Sequence, residues 1–446
     1  MKMHFFYLRP RNKIFLILFV MSVMFVNCSD DSSSTVKLGA PYDPNKPIVC
    51  ESFLPDSGGV GTQLIIRGEN FGIDTALVKV SVNGKTARVV GVNATRIYAV
   101  VPTRADTGIV KVMIGPRGEE KSFEFENEFY YLFKQNVSTL VGQSDNNGNS
   151  KFQDGTLAEA WLENIQGITI DDENVLYVAE ENKGIRIINI GEDKVSSAMR
   201  VSGNLNRSRD VALTLNQDTL ICVNDGDRND AAIALFTLTR NNGFMNTKSF
   251  VNDWQCNTVA VNPVDGEIFY NSYTNGNVIR FDRETGKKEL QFRIDESTEQ
   301  AFAWSPDGKI LYIATYGRHC IYKADYDFAT KKLSDPVEFV GRKNSWGYQD
   351  GLGTDAYFDR PSGLVCDEFG FLYVADCNNH CIRQVTPDGV VTTFAGVPRT
   401  SGWGDGEPAK ALFKNPQDIT INRKDPSGAF YVVDRGNHRV RKIVVE

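Results

Sequence analysis

Three apolar patterns follow one another along this chain. Residues 14–26, IFLILFVMSVMFV, form an apolar run behind Lys2, Arg9, Arg11 and Lys13; it has the length and flank of a signal segment and is short for a membrane span. Residues 47–132 carry short β-branched runs broken by turn signals: Pro-Asp-Ser-Gly-Gly, Gly-Glu-Asn, and Asn83-Gly84 inside VKVSVNGKTARVV. Strands at that spacing predict a β-sandwich.

From residue 135 the pattern repeats. A strand pair around a polar turn recurs as VLYVAEENKGIRIINI, TLICVNDGDRNDAAIALFTL, EIFYNSYTNGNVIRF, ILYIATYGRHCIYKA, FLYVADCNNHCIRQV and AFYVVDRGNHRVRKI. Such units, about 45 to 60 residues apart, predict a six-bladed β-propeller. DGTLAEAWLENIQGITI from Asp154, DGLGTDAYFDRPSGLVC from Asp350 and DGEPAKALFKNPQDITI from Asp405 align without gaps and mark connections between blades. The last copy ends one strand short. NVSTLVG at 136–142 precedes the first Asp-Gly segment as VVTTFAG at 390–396 precedes the last, so it is expected to close blade six and cover its open edge. The chain thus divides into a signal segment at 1–27, a Ser-, Asp- and Pro-rich flexible tether at 28–46, a sandwich at 47–132 and a propeller at 135–446.

Particular residues connect these elements to known families. LP-x-SGG-x-G-T at 54–62, IRGENFG at 66–72 and VNGKTA at 82–87 resemble the IPT/TIG domain, which implies an immunoglobulin-like sandwich serving as a spacer or interaction module, from which no site is carried over. YVAD-x-NNHCIR and YVVD-x-GNHRVR resemble NHL repeats. FVNCSDDSSSTV resembles a bacterial lipobox, with Cys28 as the acylated residue, although Phe25 and Asn27 stand where such motifs carry Leu and a small residue; ordinary secretory cleavage stays open. The acidic SDD after Cys28 resembles the surface-export signal of lipoproteins from glycan-foraging Gram-negative bacteria. These likenesses imply an outer-membrane lipoprotein facing the exterior, in contact with the membrane through its acyl chains only. The whole architecture resembles surface glycan-binding lipoproteins, which implies an extracellular glycan as ligand and outer-membrane sugar importer components as partners.

Composition narrows the chemistry. A net charge of −7 and no basic stripe argue against nucleic acid as a partner. His319, His380 and His438 hold equivalent positions at the start of each blade's third strand, roughly 10 Å outside the innermost one. Equivalent points on a six-fold ring lie at least that far apart, whereas nitrogens sharing one metal lie within about 4 Å, so they are expected to satisfy their own hairpin turns. No metal or other cofactor is expected. Cys377 and Cys381 flank one turn, and a disulfide between them stays open. NDGDRND at 224–230 lacks the Gly and the final acid of a calcium loop and reads as a solvated turn. The turns and Asp-Gly connections are expected to share one face. Its candidate sugar-binding rings are Trp254, Tyr273, Tyr316, Trp346, Tyr348 and Trp403, with Arg318, Asn378, Arg435 and Asn437 as hydrogen-bonding partners. For Tyr348, Trp403 and Phe152, two residues before each Asp-Gly, packing under the loop is the first reading. No catalytic motif stands out, which decides little because propeller enzymes assemble sites from scattered blades; a non-catalytic binding protein is expected, with a propeller lyase or glycan-degrading enzyme and a protein-docking platform as alternatives.

Overall fold

The computed structural model describes residues 39–446 apart from 103–104, 133–134, 201–204, 206, 228–230, 424–427 and 446. The signal segment, Cys28 and the first part of the tether lie outside the described residues. The stretch before the sandwich runs along it. Tyr42 packs against its core, and Asn70 Nδ2 donates to the Asp43 carbonyl at 2.9 Å while the Asp43 N–H donates to Asn70 Oδ1, also at 2.9 Å.

The described residues form strands and short 3₁₀ turns only. Gln63–Glu69 shows why the first unit is a sandwich: Leu64 and Ile66 are buried while Gln63, Arg67 and Glu69 are exposed, the period of two that places one face on a core. Lys85–Asn93 belongs to both layers, pairing through Lys85 to Ala87 with Val80 to Val82 and through Arg88 to Asn93 with Arg96–Val100. Asn83 and Gly84 both have positive φ, 48° and 77°, the requirement of the tight hairpin their sequence signals. Phe53, Phe71, Phe125 and Phe129 fill the space between the layers.

The second unit is a ring of six antiparallel blades. Its innermost strands are Ile165–Ile170, Ser208–Leu213, Val259–Val261, Gln300–Trp304, Pro361–Cys366 and Pro416–Ile421. The second strands, such as Val175–Glu180 and Leu372–Asp376, are buried along their whole length. They lie between neighbouring blades, so both faces are apolar rather than alternating. One hydrophobic cluster fills each gap; Tyr177 and Ala179 of blade one, for example, meet Val211, Leu220 and Phe236 of blade two. Blade six takes its outer strand from the front of the ring. Gln135–Val141 pairs with Arg439–Val445, with Val141 opposite Val440 and Val137 opposite Ile443.

Candidate ligand-binding face

Because successive strands in a blade reverse direction, the turns between second and third strands and the long connections between blades open on one face. Four of those turns are 3₁₀, at Tyr273–Asn275, Tyr316–Arg318, Cys377–Asn379 and Arg435–Asn437. Each is followed by a left-handed residue: Gly276, His319, His380 and His438, with φ of 64°, 61°, 56° and 56°.

Three arginines whose side chains have no solvent exposure hold the connections down. Arg441 Nη1 donates to Asp434 Oδ2 at 2.9 Å and to the Leu412 carbonyl at 2.8 Å; Nη2 donates to Asp405 Oδ1 at 2.6 Å and to the Gly404 carbonyl at 2.8 Å. Arg383 repeats this with Asp376, Asp350 and the carbonyls of Tyr357 and Gln349, and Arg186 with Glu180, Asp154 and the carbonyls of Trp161 and Gln153. The aspartate of each repeated Asp-Gly is therefore the outer counter-ion of a buried arginine. Phe152 and Tyr348 stack on two of these guanidiniums, at 4.3 and 4.8 Å. Burial pushes the Asp376 and Asp434 carboxyls up to about 6 and Glu180 up to about 7, against the pull of the adjacent arginine.

Two of the three histidines serve the neighbouring blade rather than their own hairpins. His319 Nδ1 accepts the Arg360 N–H at 3.1 Å and His380 Nδ1 the Asn415 N–H at 3.2 Å, each donor lying just ahead of the next blade's inner strand. Burial lowers the pKa of all three imidazoles, favouring the neutral form that can accept such a bond. Among the described residues no group of three His, Cys, Asp or Glu side chains is arranged to hold a metal ion. The Cys377–Cys381 bridge does not form: both are buried free thiols. Cys377 turns toward Asn415, whose Nδ2 lies 3.8 Å from its sulfur, while Cys381 packs against the backbone at Gly396 on the outer side of its strand pair. Alkylation under denaturing, non-reducing conditions is expected to label both; a peptide mass showing them linked would overturn this assignment.

At the centre of the face lies a channel of about 270 Å³ framed by all six inner strands. Asp418 and Asp210 tie those strands together. Asp418 Oδ2 accepts the Ile168 N–H at 2.8 Å, and Asp210 Oδ2 accepts Thr258 Oγ1 and the Val259 N–H, both at 3.0 Å. There is no room for larger neighbours, since a Cβ on Gly363 would stand 2.0 Å from Asp418 Oδ1. Two recesses of about 460 and 420 Å³ flank the mouth and share Tyr316 and Arg435. The first also presents Tyr273, Glu181, Arg209 and Glu299; the second presents Asn164, Asn415, Cys377 and His438. One wall is locked by ion pairs: Asp225, with its side chain fully buried, lies 2.8 Å from Arg207 and 3.1 Å from Arg209, and Tyr273 Oη donates to it at 3.2 Å. Asp225 is thus a structural anchor where the sequence reads as a solvated turn; residues 228–230 of that segment lie outside the described residues.

Comparison with known proteins fits this geometry. The sequence profile of the SMP-30/Gluconolactonase/LRE-like region matches residues 164–402. The chain belongs to that family. The IPT/TIG domain profile matches residues 48–131 in front of it. Among solved structures, this SMP-30/gluconolactonase-like chain is similar to an auxiliary nutrient binding protein from Bacteroides thetaiotaomicron VPI-5482, 32% identical with a TM-score of 0.66 over 91% of this chain and 99% of that one. It is also similar to an auxiliary nutrient binding protein from Bacteroides ovatus ATCC 8483, 31% identical with a TM-score of 0.66 over 91% of this chain and 100% of that one. Among curated proteins it is 24% identical to Protein SUPPRESSOR OF QUENCHING 1, chloroplastic, of Arabidopsis thaliana over 68% of this chain, and spans 27% of that protein's length.

Within this family member the structure gathers some of the sequence-derived candidates and scatters others. Tyr273, Tyr316 and Arg435 meet at the mouth. Trp346 and Trp403 stand in the connections ahead of blades five and six, 69% and 54% exposed. Trp403 lies 4.4 Å from the Arg439 guanidinium and its Nε1 donates to Thr139 Oγ1 at 3.0 Å, whereas among the described residues no hydrogen bond or ring contact holds the Trp346 side chain. Tyr348 is the packing ring described above, its hydroxyl 2.7 Å from Thr393 Oγ1. Trp254 is half-buried, and its carbonyl accepts from Ser272 Oγ at 3.0 Å. Arg318 donates to the Glu296 carbonyl at 3.0 Å. Asn378 Nδ2 donates to Asp359 at 3.3 Å. Asn437 is unsuited to a ligand: it is buried, and its amide donates to the Gly402 carbonyl and to Asp434. Arg209, Glu181, Glu299 and Asn164 were missed. Asn164 and Glu181 lie inside the repeated segments and Arg209 and Glu299 at the starts of inner strands, but nothing in the repeat pattern shows that the four meet at one mouth.

Proposed function

We propose that this protein is a non-catalytic nutrient-binding lipoprotein that takes an extracellular polysaccharide on its loop face. Cys28 would anchor it in the outer membrane, facing the exterior beside a sugar importer, with the sandwich as a stand-off. The observation that carries the reading is the polar mouth of the channel, where Tyr273, Tyr316 and Arg435 converge, on the same face as the unburied ring of Trp346. Support also comes from more than 30% identity, over nearly the whole of both chains, to two auxiliary nutrient binding proteins. Flat rings beside hydrogen-bonding side chains are the means by which sugar faces are held.

Electrophoresis of the purified protein through gels containing plant, host and microbial polysaccharides tests this. Retardation with the polymer intact is expected. Trp346→Ala is expected to weaken it by roughly tenfold with an unchanged melting temperature. A second reading, hydrolysis or elimination within the channel, is favoured by the paired acids Asp210 and Asp418 and predicts a shortened polymer. No retardation in any gel would redirect the search to a protein partner.

A further inference from the structure

The mouth of the channel is not evenly balanced in charge. Glu181 and Glu299 face Arg209 at 3.5 and 3.6 Å, Glu181 also faces Arg207 at 3.5 Å, and Glu163 pairs with Lys183 at 3.1 Å. On the neighbouring turn, Arg318 and Lys343 share Asp295 at 3.9 and 2.7 Å. Every carboxylate lining the two recesses therefore has a cation.

Arg435 breaks this pattern. It lines both recesses, and its guanidinium makes one contact, Nη2 to Asn164 Oδ1 at 3.4 Å, with no ion pair among the described residues. Arg360 lies over the Tyr316 ring at 5.3 Å, likewise with no ion pair among the described residues. Asp359, the nearest acid on that side, accepts from Asn378 and lies 3.6 Å from His319 Nδ1. In a chain of net charge −7, unpaired cations gathered at one opening need a reason.

A second asymmetry points into the same recess. The Nδ1 atoms of His319 and His380 accept N–H groups from the next blade, but His438 Nδ1 is buried with no hydrogen-bond partner, and His438 lines the recess with Asn164, Asn415 and Arg435. A planar guanidinium held by a single long contact, in a recess it lines with His438, Asn164 and Asn415, is suited to a two-oxygen anion, whose charge a bidentate arginine recognises best.

The geometry points to an acidic sugar as the occupant: a residue of the polysaccharide bearing a carboxylate or a sulfate, with its anionic group on Arg435 in the recess that Arg435 lines with His438, Asn164 and Asn415. This inference rests on the glycan-binding reading and names the glycan's class. It is tested by titrating the purified protein with polygalacturonate, chondroitin sulfate, dextran sulfate and neutral dextran and pullulan at moderate salt. Binding of an acidic polymer is expected, weakened about tenfold or more in Arg435→Ala and partly kept in Arg435→Lys, with the melting temperature unchanged in both. Polygalacturonate alone would assign a carboxylate; the sulfated polymers alone, a sulfate. Arg435→Ala binding the acidic polymers like the unaltered protein would overturn the inference. Binding of neutral polymers only would overturn it while leaving the glycan reading intact, and binding of none would end both.

Discussion

Removing residues 135–141 is expected to unfold the propeller as a whole rather than fray one blade. Val137 is fully buried in the cluster between blades five and six, and Val141 is buried in the cluster between blades six and one. Losing two buried valines removes ~3–6 kcal/mol of apolar burial, a large share of the roughly 5–15 kcal/mol that holds a typical domain folded. Further losses follow from the hydrogen bonds between Val137 and Gly406, the bond from Thr139 Oγ1 to Asp405, and the unpaired edge left on Arg439–Val445. Calorimetry is the measurement. A ring transition at the unaltered temperature without this strand would refute the closure, and Val137→Asp, which keeps the chain length, should lower the same transition.

Arg441→Met should cost about 3–5 kcal/mol, because removing one partner of a buried ion pair strands the other. Asp434 would be left fully buried opposite methionine, together with the carbonyls of Leu412 and Gly404. The loss should depend on pH with a definite sign. The Asp434 carboxyl already stands at about 6, above its value in an unfolded chain, so it takes up a proton on folding. Its favourable contribution is complete below about pH 4 and disappears as pH rises through the folded value. Without the arginine that value climbs further, so the variant should lie closer to the unaltered protein at about pH 5 than at about pH 8. Urea unfolding at the two pH values tests this, and an equal loss at both would show that the charge of Asp434 is not the cause. Asp434→Leu in the Arg441→Met background should recover part of the stability.

The fold was legible because both units announce themselves locally. Asn83-Gly84 fixes a hairpin by φ alone, and six recurring strand pairs cannot bury their apolar faces except against one another. What the repeats meant chemically was harder to read. Asp405 and Arg441 are 36 residues apart, and nothing nearby in sequence says that the first exists to neutralise the second. The histidines were placed correctly on the ring, but the bonds of His319 and His380 cross to the next blade at Arg360 and Asn415, a relation visible only once the blades are packed. The mouth was least legible: Glu181, Arg209, Glu299 and Arg435 come from different blades and meet only by ring closure. Trp346 and Trp403 drew attention as tryptophans, yet they lie on the connections rather than in the recesses.

The shared blade also fixes the order in which the molecule can be completed. The sandwich strands end at Tyr131 and can fold as soon as that part of the chain has been synthesised. The strand that closes the ring follows four residues later but has no partner until Arg439–Val445 has been made. For the whole time it takes to synthesise the intervening blades, Gln135–Val141 is an unmatched strand beside a finished domain. Folding from the front of the chain thus ends with a contact of very long sequence separation, the slow kind. A chain truncated between the sandwich and the final strand should hold a folded sandwich and an open, protease-sensitive arc of blades.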